Sequence, residues 1–297
     1  VEEAKKHKAG FVNIVGSPNV GKSTLLNAMI GEKLSIVTPK AQTTRHRING
    51  LVNHDDYQIV FSDTPGVVNS AYKLHEAMMS YVETSFQDAD ILLFITDIFE
   101  NETNHKETLE RIARLKVPVL CLINKIDLGN QERVLERIEY WKSKLSNAYT
   151  IPVSALHGFN LDVVFDKILE LLPESPPYFD KEFMSDRPLR FFVSEIIREK
   201  IFLNLNKEIP YACQVEIESY KEDDSLAHIR GVVIVERDSQ KGIVIGHKGA
   251  MLTRIGKEAR LAIEEFIGKR VYLELFVKVD KDWRNTEGKL RKYGYKS

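Results

Sequence analysis

The run Gly16, Ser17, Pro18, Asn19, Val20, Gly21, Lys22, Ser23, Thr24 follows an apolar, β-rich stretch, Phe11 to Val15, and leads into a helix-forming one. Two glycines let such a loop curl so that backbone N–H groups and a helix N-terminus surround phosphate oxygens. Lys22 then supplies a point charge and Ser23 a hydroxyl for Mg2+. The plain alternative is a glycine-rich turn that binds nothing; the placement between strand and helix favours the phosphate cradle. Downstream, Asp63, Thr64, Pro65 and Gly66 close the run Ile59 to Ser62. Asp63 can hold a water on Mg2+, and Gly66 can turn its N–H toward a terminal phosphate because no side chain blocks the approach. Alone, this Asp-x-x-Gly is equally a strand followed by a turn.

A third stretch speaks to the base. Val119 to Ile123 is an apolar run that ends in Asn124, Lys125 and Asp127. A carboxylate there accepts two hydrogens from guanine, at N1 and the 2-amino group, whereas adenine offers an acceptor at N1 and no amino group. Adenine would leave Asp127 unpaired, and polar sites of this kind reject the wrong ligand strongly. Ser154, Ala155 and Leu156 follow the next apolar run and offer backbone N–H groups to the guanine oxygen.

These residues need a scaffold, and the chain supplies one. It has 297 residues, 42 Lys+Arg against 43 Asp+Glu, and 43% hydrophobic residues, an ordinary globular composition with length for two domains. The two cysteines, Cys121 and Cys213, lie far apart in apolar stretches, which suits buried thiols in a reducing, cytosolic compartment. The longest apolar runs fall far short of the ~20 residues of a membrane span, and no secretory signal is read. Strand-like runs Phe11–Val15, Tyr57–Ser62, Ile91–Thr96, Val117–Asn124 and Thr150–Val153 alternate with helical patterns at Leu25–Ile30, Leu74–Phe86, His105–Leu115 and Val134–Leu145. That alternation predicts a mainly parallel sheet with helices on both faces, its ligand edge at the carboxyl ends of the strands. Four prolines between Pro173 and Pro188 mark a stiff connector. The expected division is 1–173, a linker at 174–187, and 188–297.

The last part carries 21 Lys+Arg against 17 Asp+Glu. It reads as helix (Phe192–Leu203), two strands (Ala212–Ser219, Ala227–Glu236), helical pieces flanking Gly246–Gly249, and a final strand (Val271–Val279). Gly246, His247, Lys248 and Gly249 form a Gly-x-x-Gly at a helix start, followed by Arg254 and Lys257. Such a turn can approach nucleic-acid phosphates through its backbone. Val244 and Ile245 would line a base-facing groove; the alternative is that they are plain core and the cations a solvated helix face. Trp283, Tyr293 and Tyr295 are candidates either for base stacking or for packing.

Taken together, residues 16–23, 63–66, 124–127 and 154–156, in that order, resemble the translation-factor-related P-loop GTPases. Lys40-Ala-Gln-Thr43-Thr44-Arg45-His46-Arg47 and an α-β-β-α-α-β second part that resembles a type II KH domain narrow the likeness to the Era family. The resemblance implies an α/β P-loop GTPase domain followed by an α+β KH domain. It further implies Mg2+-dependent GTP hydrolysis with slow intrinsic turnover through Lys22, Thr44, Asp63 and Gly66. Mg2+ would be held by Ser23, Thr44 and Asp63, with Thr43 the alternative to Thr44. Asn19 resembles the ligand of an activating K+ in relatives; the competing reading is an Asn chosen for loop geometry. Val67, next to Gly66, can neither orient a water nor accept its proton as a glutamine would. Arg45 and Arg47 are either arginine fingers or solvated loop charges. The family further implies binding of GTP and GDP, a single-stranded RNA partner at the 3′ end of 16S ribosomal RNA, a role in small ribosomal subunit assembly, and a monomer in the cytoplasm. Two rivals stand beside it. One is a non-catalytic RNA-binding assembly protein that uses nucleotide as a structural ligand. The other is a GTPase with peripheral membrane contact through the basic stretch Lys289 to Lys296.

Overall fold

The computed structural model describes residues 6–66, 71–100 and 106–295, which form two compact units. The first is built from the chain up to Ser35, from Thr44 onward through β3, and from Met78 to Asp186. Its sheet runs β2-β3-β1-β4-β5-β6, with β1 Lys8–Val15, β2 Ile48–Asn53, β3 Tyr57–Asp63, β4 Ile91–Asp97, β5 Val119–Asn124 and β6 Tyr149–Pro152. All pairings are parallel except β2 with β3.

β4 and β5 are buried at every position, as expected of strands covered on both faces. Alternate side chains go to opposite cores. Ile91, Leu93 and Ile95 join Leu25 and Leu26 of α1 (Lys22–Ile30), while Leu92 and Phe94 join Trp141 of α4 (Gln131–Lys144). α2 (Lys73–Gln87) and α3 (Lys106–Ile112) complete the helices expected from periodicity.

Two elements go beyond the sequence reading. β2 contains Asn49, Gly50 and Asn53, residue types depleted in strands. It is held instead by pairing with β3 and by a bridge from Gly50 to Ser185. α5 (Leu161–Leu171) buries Leu161, Val164 and Ile168, an apolar stripe at helical spacing.

The proline-rich stretch is a strap across the first unit. Gln58 accepts from the backbone N–H groups of Tyr178 and Phe179 and donates to the Phe179 carbonyl. Asn49 pairs with Asp186, and Ser185 donates to the Asn49 carbonyl. The strap thereby covers an edge strand that would otherwise present open backbone groups.

The second unit comprises Ile36–Thr43, the start of α2 up to Ala77, and the chain from Arg187 onward. Its order is α6 (Leu189–Asn204), the short α7 (Ile209–Ala212), β7 (Gln214–Glu222), β8 (Leu226–Val235), α8 (Asp238–Ile245), α9 (Ala250–Ile267), β9 (Arg270–Val279) and α10 (Glu287–Lys292). The sheet is β7-β8-β9, with β8 and β9 parallel. α6 and α9 pack on one face through Val193, Ile197, Ile255, Ala259 and Ile263. The segment Ile36–Thr43 is tied to α6: Lys40 meets the Phe202 and Leu205 carbonyls at the helix end, and Arg198, itself paired with Glu195, donates to the Thr43 carbonyl. A cation on the last carbonyls of a helix is favoured by the helix dipole.

Candidate functional site

The loop after β1 turns sharply into α1. Gly21 sits at φ 104° and directly against Asn124: a Cβ added there would lie 2.2 Å from Asn124 Nδ2. Only glycine fits that approach. Asn124 in turn donates to the Val20 carbonyl at 2.7 Å and accepts from the Ala155 N–H at 2.9 Å. One amide side chain therefore braces the phosphate loop against the segment Ser154–Leu156.

Lys22 is buried and donates to the carbonyls of Gly16 (3.0 Å) and Ser17 (2.6 Å). Burial lowers its pKa to about 8, against the opposing pull of Asp63 and Glu100. Ser23 donates to Asp63 Oδ2 at 2.6 Å, and its hydroxyl lies 2.8 Å from that of Thr44, which itself stands 3.4 Å from Asp63 Oδ2. Burial raises the Asp63 pKa, with the Ser23 hydrogen bond and Lys22 acting the other way. The buried Ser35 hydroxyl acts on Asp63 in the same direction as Ser23, although neither it nor Asp63 Oδ1 makes a hydrogen bond of good geometry among the described residues.

Here a cation and an anion are each pushed toward neutrality. A triphosphate beside Lys22 and a divalent cation beside Asp63 would restore both charges, so the donor set Ser23, Thr44 and Asp63 fits Mg2+. Among the described residues no cluster of three His, Cys, Asp or Glu could hold a metal.

Gly66 rests on Pro18, 2.8 Å from a would-be Cβ. Thr64 is buried and donates to the Ile14 carbonyl at 2.7 Å, and Pro65 is buried beside it. Thr24 lies in the first turn of α1, partly buried. Thr43, the alternative to Thr44, belongs to the second unit, its hydroxyl 2.6 Å from that of Thr38. Asn19 is exposed at φ 64°, a conformation that Asn tolerates better than most residues. That geometry supplies a reason for Asn independent of any ion. Val67 lies outside the described residues.

In the base pocket, Asp127 Oδ1 accepts from the Ser154 hydroxyl at 2.6 Å, and His157 Nε2 stands 3.7 Å from Oδ2. Lys125, at φ 60°, pairs with Asp97 Oδ2 at 2.7 Å. Asp97 escaped the sequence reading although it ends a fully buried strand on the ligand edge. The Leu156 side chain is exposed. Arg45 and Arg47 are not solvated loop charges. Arg45 is buried, and Arg47 bonds Ser62, Asn13 and Asp88, with 2.6 Å to the carboxylate.

In the second unit the turn Gly246-His247-Lys248-Gly249 takes positive φ at Gly246 (73°), Lys248 (49°) and Gly249 (81°). His247 and Lys248 are exposed there, as are Lys257 and Arg254 on α9, the last paired with Glu258 at 3.0 Å. Val244 requires correction: it is fully buried in the core, because the side of α8 that carries it faces the sheet. Ile245, half-buried, and Ile243, exposed, are the apolar side chains left to a groove. Trp283, Tyr293 and Tyr295 are also core. The Trp283 indole donates to the Ala212 carbonyl and the Tyr295 hydroxyl to Gln214. They cannot offer ring faces to bases. Nor is the C-terminal basic stretch an open tail. Lys289 pairs with Asp280, Lys292 lies 3.7 Å from Glu216, and Lys296 is outside the described residues. No helix among the described residues is long and apolar enough to cross a membrane.

Comparison with known proteins matches both units of the chain. Residues 11–125 match the family described as 50S ribosome-binding GTPase, and residues 208–284 match the KH domain. The chain is 45% identical over 289 residues to GTPase Era of Geotalea daltonii, covering 97% of each, and 44% identical to that of Staphylococcus epidermidis, covering 98% of each. Among solved structures, Era in complex with MgGDPNP and nucleotides 1506–1542 of 16S ribosomal RNA superposes with a TM-score of 0.93 at 41% identity, covering 98% of this chain and 100% of that one. Aquifex aeolicus Era, in a variant bound to GDP and AlF4−, gives the same values.

Proposed function

The chain belongs to the Era family of GTPases, and on that footing we propose that it is a GTP-hydrolysing switch that binds the 3′ end of 16S ribosomal RNA during small-subunit assembly. The observation that carries the nucleotide half is the Asn124 brace. By holding Val20 and Ala155 together, it supports a single rigid receptor of phosphate loop and base pocket, in which Asp127 would read the guanine edge. The RNA half rests on the exposed Gly-x-x-Gly turn and the basic face of α9, joined in one chain to that receptor.

The chain's own groups then act in order. Asp127 accepts from guanine N1 and its amino group. Lys22 leaves the Gly16 and Ser17 carbonyls for phosphate oxygens, and the Gly66 N–H points at the terminal phosphate. Ser23, Thr44 and Asp63 would hold Mg2+, which when bound offsets negative charge on the phosphates. Thr44 lies next in the chain to Thr43, whose carbonyl is bonded to Arg198 of α6. A nucleotide-dependent shift of Thr44 therefore pulls on a segment anchored in the RNA-binding unit. Asn19 is proposed as a K+ ligand that stabilises developing negative charge.

Multiple-turnover phosphate release, measured with GTP and ATP in KCl and in NaCl, tests this. GTP should be hydrolysed and ATP ignored, with faster turnover in KCl and no such gain in Asn19→Ala. Absence of turnover with GTP, with and without RNA, would leave a binding protein only. Equal rates in the two salts would remove the potassium role alone.

A further inference from the structure

The two faces of the β7-β8-β9 sheet have different fates. Ala227, Ile229, Val233 and Val235 of β8 and Val271, Leu273 and Leu275 of β9 turn toward α6 and α9. The intervening residues form the other face, and register sets them side by side: Lys221 beside His228 and Ser219 beside Arg230 across β7-β8, and His228 beside Tyr272, Arg230 beside Glu274 and Val232 beside Phe276 across β8-β9. One end of this face is covered by the C-terminal segment, whose Tyr295 reaches Gln214 and whose Lys292 approaches Glu216, so that Val232 and Ile234 are buried. The other end is open. Tyr272 there is 54% exposed, and Phe276, beside Val232 at the boundary, is 48% exposed; the exposed cations Lys221, Arg230 and Lys278 share this face with the carboxylates Glu274 and Glu216.

We propose that this open half-face is a second contact surface for single-stranded RNA, separate from the glycine turn, with bases stacked on Tyr272 and Phe276 and phosphates met by Lys221, Arg230 and Lys278. The proposal rests on the RNA-binding reading above and extends its footprint. Three observations support it. Exposed aromatics on an open sheet face are the usual platform for unstacked bases, since every base has a π-face and sequence matters little. Lys221, Arg230 and Lys278 against Glu274 and Glu216, the latter already 3.7 Å from Lys292, leave the face net positive, the sign that a polyanion requires. The Arg230 guanidinium lies 5.4 Å from the centre of the Phe276 ring and forms an exposed 3.2 Å ion pair with Glu274. An exposed pair of this kind is weak, so Arg230 can exchange its partner for a phosphate at little cost. Tyr272 and Phe276 stand ~13 Å apart along β9, near enough for one short strand to reach both.

The test uses the full chain and two labelled RNAs: one of about four nucleotides, enough to fill a KH groove, and one of about 12, enough to continue across the sheet. Tyr272→Ala and Phe276→Ala should each weaken the longer RNA roughly tenfold and leave the shorter one unchanged. Arg230→Ala should lower the salt dependence of the longer RNA by about one counterion. Tyr272→Phe keeps the ring and should retain affinity. Lys248→Glu is the control for the glycine turn and should weaken both RNAs. If Lys248→Glu changes neither RNA, the underlying RNA reading fails. If Lys248→Glu acts as expected while the longer RNA is indifferent to Tyr272→Ala and Phe276→Ala, the second surface is refuted. Loss of co-sedimentation with ribosomal subunits at unchanged RNA affinity also refutes it, and assigns the face to a protein.

Discussion

The buried Lys22 makes nucleotide binding a proton-linked event. Its pKa of about 8, against an ordinary 10.5, means that the free receptor sheds this proton from about pH 8 upward. Bound phosphates should return Lys22 to at least its ordinary value, because they place negative charge on an ammonium that now has only carbonyls and a partly offset Asp63. Binding at pH 9 then takes up ~0.9 proton per nucleotide, and at pH 7 only ~0.1, so the association constant falls roughly tenfold between the two. Calorimetry in two buffers of different ionisation enthalpy measures the uptake directly. Lys22→Arg, whose guanidinium stays charged, cancels any titration of the ligand itself.

The same burial acts with opposite sign on the nucleotide-free fold. Below about pH 8 the charged Lys22 costs about 3 kcal/mol, and that cost is relieved as pH rises from about 8 toward 10.5, where the unfolded chain also loses the proton. Chemical denaturation across that window should therefore show Lys22 making the free chain more stable with rising pH while nucleotide affinity falls. Proton uptake that is equal in wild type and Lys22→Arg would refute the reasoning.

Other outcomes follow from the same geometry. Asp127→Asn should move preference from guanine toward xanthine nucleotides, which carry a carbonyl where guanine has its amino group; a competition assay that still shows strict GTP preference counts against the base pocket. Asp63→Asn should keep much of the nucleotide affinity in EDTA but lose the gain that Mg2+ provides, read by titration with a fluorescent GDP analogue. In the wild type, the raised Asp63 pKa should make that Mg2+ gain fade on acidification before an ordinary aspartate would protonate. Trp283→Ala should destabilise the chain by about 3–5 kcal/mol as a cavity mutation in denaturant melts; a loss confined to RNA affinity, with stability intact, would restore Trp283 as a stacking residue.

The chemistry of the first unit was legible because its motifs fix backbone as well as side chains. Gly21, Asn124 and Ala155 are far apart in sequence and meet because each ends or follows a strand on the ligand edge. Strand order along that edge, once parallel, leaves few alternatives. What was not legible was burial at single positions. Val244 and Ile245 look alike in sequence, yet one faces the sheet and the other does not, a difference set by the rotation of a helix of eight residues. The aromatics behaved similarly. Trp283, Tyr293 and Tyr295 near the end resembled a loose basic tail with rings, but hydrogen bonds to Ala212, Gln214 and Asp280 fold them inward. Tyr272 and Phe276, read as part of an ordinary strand, turned out to be the open rings. β2 was invisible because its stability comes from its neighbours rather than from its Asn and Gly residues.

On this reading one guanine-specific receptor governs the hold of an RNA clamp carried by the same chain. The most direct test is the affinity of the full chain for a single-stranded 3′-end fragment of 16S ribosomal RNA, measured with a non-hydrolysable GTP analogue, with GDP, and with the corresponding adenosine nucleotides. The two guanosine states should give different affinities, and adenosine nucleotides should leave the nucleotide-free value unchanged. Identical affinities in all states would contradict it.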